Sequence, residues 1–279
     1  LLIGAEGTIG IVTQAVLQTV PALIDRCVVW AGVESPAQAY DLLLFMQRHG
    51  RERLEGFEIL PQRALNAVTT HIAGTRPPLD TAHRWHALME FVQDDPRQMP
   101  PSELATGLLE KAMHENLLGN ATIANSDAQA EAFWKIRDSI AEAERAAGPA
   151  LQHDISVPVS AMARFIENES PIIERTYLGT KTLAFGHLGD GNIHFHVKAP
   201  DGVDVPSWYA GDGKAITSHV YDRVRAYGGS LSAEHGIGQA KIDEFERLAD
   251  PTRLAALRAI KNALDPLGIM NPGKLVPLA

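Results

Sequence analysis

The sequence predicts a globular domain of the α/β or α+β class. With 279 residues and 45% hydrophobic content, the chain can bury a substantial core. Short β-rich runs also alternate with helix-like segments along its length, and such alternation is typical of both classes.

In the first half, residues 9–20 alternate between two faces, as a strand pair or one long strand would. A β-rich run at 26–33 then precedes a helix, for which Ser35 is a suitable cap, Pro36 suits the first turn and Gly50 can end the helix. The same reasoning predicts strands at 54–60, 84–93 and 121–125, and helices at 61–72, 102–118 and 127–147.

The second half continues the alternation. A helix over 157–177 is expected to kink at Pro171, because proline removes a backbone hydrogen bond inside a helix. The remaining predicted elements are strands at 181–188, 192–199 and 229–232, and helices at 206–227, 238–247 and 251–265.

Charge and composition exclude some classes of protein. The chain carries 25 basic and 34 acidic side chains, a net charge of -9, which argues against a surface that binds nucleic acid. Its single cysteine, Cys27, excludes an intrachain disulfide.

No apolar stretch reaches the roughly 18 to 20 residues of a membrane span, so no transmembrane segment is expected. A cytoplasmic location is favoured, with peripheral membrane association and a homodimer both left open.

The stretch "FGHLGDGNIHFHV" (185–197) concentrates groups that bind metals. His194 and His196 are two residues apart and therefore point to the same face of a strand, and the "GDG" turn can bring His187 toward them across a hairpin. Neutral imidazole is a common ligand of zinc, iron and manganese. The alternative is a polar hairpin whose histidines bond to their neighbours, but the glycines leave room for another group to approach.

A second stretch, "GGSLSAEHGIGQAK" (228–241), supplies a carboxylate. Glu234 and His235 follow a short strand and precede two glycines at an expected helix start. Alone, this pattern is more often a helix cap or a surface pair than a metal site. Beside the histidine-rich stretch it favours a metal site.

Four stretches in order resemble the C-terminal half of FAD-linked oxidases of the vanillyl-alcohol oxidase superfamily, in particular D-lactate, glycolate and D-2-hydroxyglutarate dehydrogenases. The stretches are "GAEGTIGIVTQAVLQTVP" (4–21), "GHLGDGNIHFHV" (186–197), "SAEHGIGQAK" (232–241) and "MNPGKLVP" (270–277). The resemblance implies an α+β fold: an antiparallel sheet with helices packed on one face, as in a ferredoxin-like cap or substrate domain, plus a helical C-terminal segment. It also implies that residues 1–21 are a remnant of the FAD-binding domain and that 22–279 form the substrate and metal domain.

The resemblance further implies residue roles. His187, His194 and Glu234 would bind a divalent metal, either zinc or manganese/iron, and His235 would be the general base. His196 stands where some relatives carry asparagine, so it is assigned to either the metal or the substrate. The substrate would be a small 2-hydroxy carboxylate, and the sequence does not identify the electron acceptor.

Arg137, in "FWKIRDSI" (133–140), matches the family's carboxylate-binding arginine, although the local sequence alone favours a solvated arginine paired with Asp138 or Glu144. Gln152 stands where relatives acting on a dicarboxylate carry lysine, which puts 2-hydroxyglutarate in doubt.

Glu6, Gly7 and Asn271 are expected near FAD, most of which an N-terminal domain outside this sequence would bind. The chain is therefore expected to be inactive without that domain. Two other classes stay open from the residues: a metal-dependent hydrolase that uses the cluster to activate water, and a metal- or carboxylate-binding module without turnover.

Overall fold

A seven-stranded antiparallel sheet runs through the computed structural model, which describes residues 1–276. Pro277, the last residue of the fourth stretch, lies outside this range. The strands are β1 (Asp25–Val33), β2 (Leu54–Pro61), β3 (Trp85–Gln93), β4 (Asn120–Ile123), β5 (Ala150–Ser156), β6 (Lys181–His187) and β7 (Asn192–Lys198). Their order is β4-β1-β3-β2-β6-β7-β5, and every neighbouring pair is antiparallel. The α+β class is confirmed.

The helices are α1 (Pro36–Gly50), α2 (Gln62–His71), α3 (Pro101–His114), α4 (Asp127–Asp138), α5 (Ile140–Ala146), α6 (Val159–Thr176), α7 (Val205–Trp208), α8 (Lys214–Ala226), α9 (Ile242–Leu248) and α10 (Pro251–Leu264). Local signals explain their starts: Ser35 accepts a hydrogen bond from Gln38 N at α1, and Ser126 accepts one from Gln129 N at α4.

Helices cover both faces of the sheet, whereas the sequence prediction placed them on one. Strand β1 shows why, because its side chains are apolar on both faces. Val29 and Ala31 belong to the core beneath α1, α3, α6 and α8, while Val28 and Trp30 belong to a second core beneath α2, α4 and α5. The candidate site lies on the face that α4 and α5 cover.

Several element predictions differ from the structure. Residues 9–20 form no strand, because this extended and largely exposed segment has no partner strand within 1–276. The helix predicted over 127–147 is interrupted at Ser139, and a π-helical turn at Tyr209–Gly213 interrupts the one predicted over 206–227. The strand predicted at 229–232 is a single bridge between Ser230 and Ser156.

Strand β5 was absent from the predicted elements, although it pairs with β7 over seven residue pairs. Within residues 1–276, no helix combines the length and the apolar character that crossing a membrane would need.

Candidate metal and substrate site

Three adjacent strands build the floor of the site. His194 on β7 lies opposite Phe185 on β6 and Asp154 on β5, and His196 lies opposite Gln152 on β5. His187 ends β6. Gly186, the residue before His187 in β6, has a φ of 151°, and a Cβ there would lie 2.3 Å from the carbonyl oxygen of Asn192 on β7. The predicted hairpin is therefore present, and only glycine fits that position.

His187, His194 and Glu234 come together as the sequence predicted. Each offers one ligand atom, and these atoms lie within 4.8 Å of one another. His187 Nε2 is 3.3 Å from Glu234 Oε1. Two imidazoles and one carboxylate with an open side are the donor set of a catalytic zinc site, so the residues present fit a divalent metal. Asp154, Glu234 and His235 form a second such group that shares Glu234.

A buried carboxylate, Glu58 on β2, orients two of the site residues. It is 3% exposed; its Oε2 accepts a hydrogen bond from Arg137 Nε at 2.5 Å, and its Oε1 is bound to His187 Nδ1. Burial alone would raise the pKa of Glu58, but the His187 hydrogen bond and the charge of Arg137 outweigh it and lower that pKa. The same hydrogen bond raises the pKa of His187. Because Glu58 occupies Nδ1, the Nε2 of His187 faces Glu234.

His194 is held in its neutral form. Burial, reinforced by the nearby charge of Arg137, lowers its pKa to about 4. Neutral imidazole is the form that binds metals, so His194 needs no deprotonation near pH 7.

A second buried carboxylate, Asp154, holds the loop that carries Glu234 and His235. Its Oδ2 accepts hydrogen bonds from the backbone nitrogens of Glu234 (3.1 Å) and His235 (2.9 Å), and from Ser232 Oγ (3.2 Å). Burial raises the pKa of Asp154, but the two backbone donors and Lys241 lower it overall. Its Oδ1 is buried without a partner among residues 1–276 and is free to accept a bond in the site. The side chain of His235 is 68% exposed, with Nδ1 3.7 Å from Asp154 Oδ2.

A third buried carboxylate, Glu144 on α5, is bound to Nδ1 of His196. Both residues are almost completely buried, at 6% and 4% exposure.

The local sequence favoured a pairing of Arg137 with Asp138 or Glu144. Arg137 bonds to Glu58 instead, and its guanidinium lies 5.2 Å from the centre of the Phe185 ring.

Several of these side chains line one cavity of about 300 Å³, whereas Glu58 and His187 line a neighbouring cavity. The walls of the first cavity carry Arg137, Arg145, Gln152, His194, His196 and His235, together with Asp138, Ala141, Asp154 and Phe185. The volume suits a small molecule. Two arginines, three imidazoles and the carboxylates of Asp138 and Asp154 therefore face the same space, an arrangement that can hold a small anionic ligand next to a metal.

Residues 24–275 match the family described as FAD linked oxidases, C-terminal domain. The chain belongs to this family. Among curated relatives of this FAD-linked oxidase chain, D-2-hydroxyglutarate dehydrogenase of Xanthomonas citri pv. viticola is 33% identical over 99% of the chain and 56% of the relative. The mitochondrial D-2-hydroxyglutarate dehydrogenase of Arabidopsis thaliana is 32% identical over 99% of the chain and 48% of the relative. The chain spans about half the length of these relatives.

Two solved structures share the fold. The p-cresol methylhydroxylase structure with bound substrate aligns with a TM-score of 0.62 at 11% identity, covering 91% of this chain and 53% of that one. A 4-ethylphenol oxidase from Gulosibacter chungangensis aligns with a TM-score of 0.59 at 15% identity, covering 92% and 55%. At these identities the likeness concerns the fold alone.

The residues expected near FAD also meet in this FAD-linked oxidase chain. Asn271 Nδ2 donates to the carbonyl oxygen of Glu6 at 2.5 Å, and a Cβ on Gly7 would lie 3.8 Å from Asn271 Nδ2. The carboxylate of Glu6 accepts hydrogen bonds from the backbone nitrogens of Ile237 (2.7 Å) and Gly238 (2.8 Å), in the loop that follows His235. The terminal stretches are thus tied to the site loop, and their role toward FAD stays a prediction.

Sequence reasoning missed the three carboxylates that orient the site: Glu58, Asp154 and Glu144. One signal was available for two of them. Glu58 interrupts the apolar run "GFEIL", and Asp154 interrupts "HDIS", and an acidic residue inside a β-rich run is seldom buried without a partner.

Proposed function

We propose that the chain is the substrate- and metal-binding part of a flavin-dependent D-2-hydroxy acid dehydrogenase, which oxidises a D-2-hydroxy carboxylate of the lactate, glycolate or 2-hydroxyglutarate type to the 2-oxo acid. The observation that carries the proposal is the group of His187, His194 and Glu234, with ligand atoms within 4.8 Å, beside Arg137 and His235. Membership of the FAD-linked oxidase family and the names of the relatives support it.

The chain's own residues supply binding and proton transfer. Arg137 uses its guanidinium, already oriented by Glu58, to hold the substrate carboxylate. His187, His194 and Glu234 would hold a divalent metal, whose charge lowers the pKa of the substrate hydroxyl. His235 is the base that takes the proton from this hydroxyl, because its exposed side chain lies next to the ligand Glu234 on the loop that Asp154 orients.

FAD, when bound, supplies the acceptor for the hydride that leaves C2. Glu6, Gly7 and Asn271 are the chain's contribution to the flavin region, and the division into a remnant at 1–21 and a substrate domain at 22–279 is part of the same proposal.

The test uses the intact protein with its flavin domain. His235→Ala should keep its metal and flavin but lose roughly 10²- to 10⁴-fold in kcat, the usual contribution of a positioned base. Metal content and flavin reduction by D-lactate, glycolate and D-2-hydroxyglutarate are measured on one preparation, with His114→Ala, an exposed histidine on α3, as control.

Loss of metal in His235→Ala would make His235 a ligand, and a normal rate of flavin reduction would refute its role as base. Hydrolytic turnover with no flavin reduction by any 2-hydroxy acid would favour a metal-dependent hydrolase.

A further inference from the structure

The pair of Glu144 and His196 has a geometry that the metal group does not explain. Neither group of potential metal ligands within residues 1–276 includes His196. Its ring centre is 6.4 Å from that of His194, and it lies one step further along the same face of β7, about 6.6 Å at the usual rise per residue. His196 therefore lies beyond His194, on the side away from His187.

The two nitrogens of His196 have different surroundings. Nδ1 is bound to Glu144, while Nε2 has no hydrogen-bond partner within the described part of the chain. The ring packs edge-on against Phe185, with centres 5.2 Å apart, and the residue lines the cavity. A buried carboxylate costs free energy unless it is paired, so Glu144 restricts the His196 ring to the orientation in which Nδ1 faces it.

The position of His196 along β7 places the Glu144–His196 pair at one end of the cavity. The metal group and Arg137 hold the carboxylate and hydroxyl of a 2-hydroxy acid at the other end, under the proposed function on which this inference rests. The remaining substituent on C2 of the substrate then points toward His196, toward Gln152 on the neighbouring strand, and toward Arg145.

We propose that Glu144 is a positioning residue that holds His196 by Nδ1, so that the free Nε2 contacts the substituent on C2 and the pair determines which 2-hydroxy acid is accepted. A fixed imidazole discriminates because its Nε2–H can donate to the second carboxylate of 2-hydroxyglutarate, whereas the methyl group of lactate offers no hydrogen-bond acceptor. Glu144 does not touch the substrate in this proposal and acts only through His196.

The experiment compares Glu144→Leu, which removes the hydrogen-bond acceptor at similar size, with Glu144→Gln, which keeps one. The intact flavoprotein is assayed with glycolate, which has no carbon substituent on C2, and with D-lactate and D-2-hydroxyglutarate. Glu144→Leu should lose about tenfold or more in kcat/KM for D-2-hydroxyglutarate and less than about threefold for glycolate and D-lactate, while Glu144→Gln should stay within about threefold for all three. Glu142→Leu, an exposed position on the same helix, is the matched control.

An equal loss for all acids in Glu144→Leu, or no loss for any, overturns the proposal. If that variant does not fold, the double variant Glu144→Leu/His196→Leu leaves no unpaired buried charge and should show the same loss of discrimination. Unchanged discrimination in the double variant overturns the proposal as well.

A second readout does not depend on turnover and separates this inference from the proposed function. In protein labelled with ¹⁵N-histidine, the His196 resonances, assigned by their loss in His196→Asn, should show a proton on Nδ1 in the wild type and in Glu144→Gln. Adding D-2-hydroxyglutarate should shift Nε2. A proton on Nε2 alone, or no shift with any acid, refutes the pair's role even if flavin reduction is normal. If no 2-hydroxy acid is oxidised but the shift is seen, the proposed function fails and the pair's role in binding stands.

Discussion

Replacing Glu58 by glutamine is the most informative single change in the site, because this carboxylate binds both His187, a proposed metal ligand, and Arg137, the proposed substrate-binding arginine. Glu58→Gln preserves size and creates no cavity. It removes the negative charge beside Arg137, which is 8% exposed, and it leaves one amide oxygen to serve two donors, Arg137 Nε and His187 Nδ1. The amide NH₂ then faces another donor, so one of the two partners is left unpaired.

The magnitude follows from the burial of the pair. Removing one partner of a buried ion pair costs about 3–5 kcal/mol, because the remaining charge is uncompensated. Replacing the group that orients a metal-binding histidine costs about 10- to 100-fold in metal affinity. We therefore expect Glu58→Gln to lower both the free energy of unfolding and the affinity for zinc.

Urea unfolding of the metal-free protein at pH 7 measures the first quantity, and calorimetric titration with zinc measures the second. Glu55→Gln, an exposed position on the same strand, is the control and should change neither. A change below about 1 kcal/mol together with a zinc affinity within about threefold of the wild type would contradict the role assigned to Glu58.

Three further predictions follow from the same contacts. Arg137→Ala in the intact protein should raise KM for a D-2-hydroxy acid by about 10- to 100-fold, since a charge-assisted contact is lost, and an unchanged kcat/KM for every acid tested would remove Arg137 from the site. Asp154→Leu removes the acceptor for the backbone nitrogens of Glu234 and His235 and should weaken zinc binding by about tenfold, measured by calorimetry; undiminished affinity would show that the loop holds its shape without Asp154. Burial lowers the pKa of His153 to about 4, so between about pH 6.5 and pH 4 the unfolded chain binds more protons, and the free energy of unfolding should fall as pH falls through that window. His153→Gln should flatten this dependence in urea unfolding at pH 7 and pH 5, and a parallel profile would refute it.

Local signals in the sequence predicted those parts of the fold that are determined locally. The cap at Ser35, the strand at 84–93 and the histidine hairpin were all placed correctly, because each depends on residues within a few positions. The segment 9–20 alternates between two faces but forms no strand in this chain, since alternation indicates which face is apolar and does not supply a partner strand. Helices on both faces were missed for a related reason, because a strand that is apolar on both faces was not distinguished from one that is apolar on a single face.

The site was predictable where its residues are clustered along the sequence and unpredictable where they are not. His187 and His194 share one hairpin, and Glu234 and His235 are neighbours, so the spacing within each motif predicted that these side chains lie close together. Glu58 lies 79 positions from Arg137 and 129 from His187, and no local pattern relates them.

What joins the distant groups is the order of strands. Because β2 pairs with β6, Glu58 lies directly opposite His187 in the register, and because β5 is on the other side of β7, Asp154 lies directly opposite His194. The break at Ser139 ends α4 just after Arg137 and begins α5, which carries Glu144 to His196. The sheet thus supplies one buried carboxylate from each side of the histidine hairpin, and the helices above it supply the third. A buried carboxylate is tolerated only when paired, so each of these three restricts its partner to one orientation. His187 and His196 can therefore be held ready for a ligand by Glu58 and Glu144, which do not line the cavity. Substitutions at these two carboxylates should therefore alter binding without altering any residue that lines it.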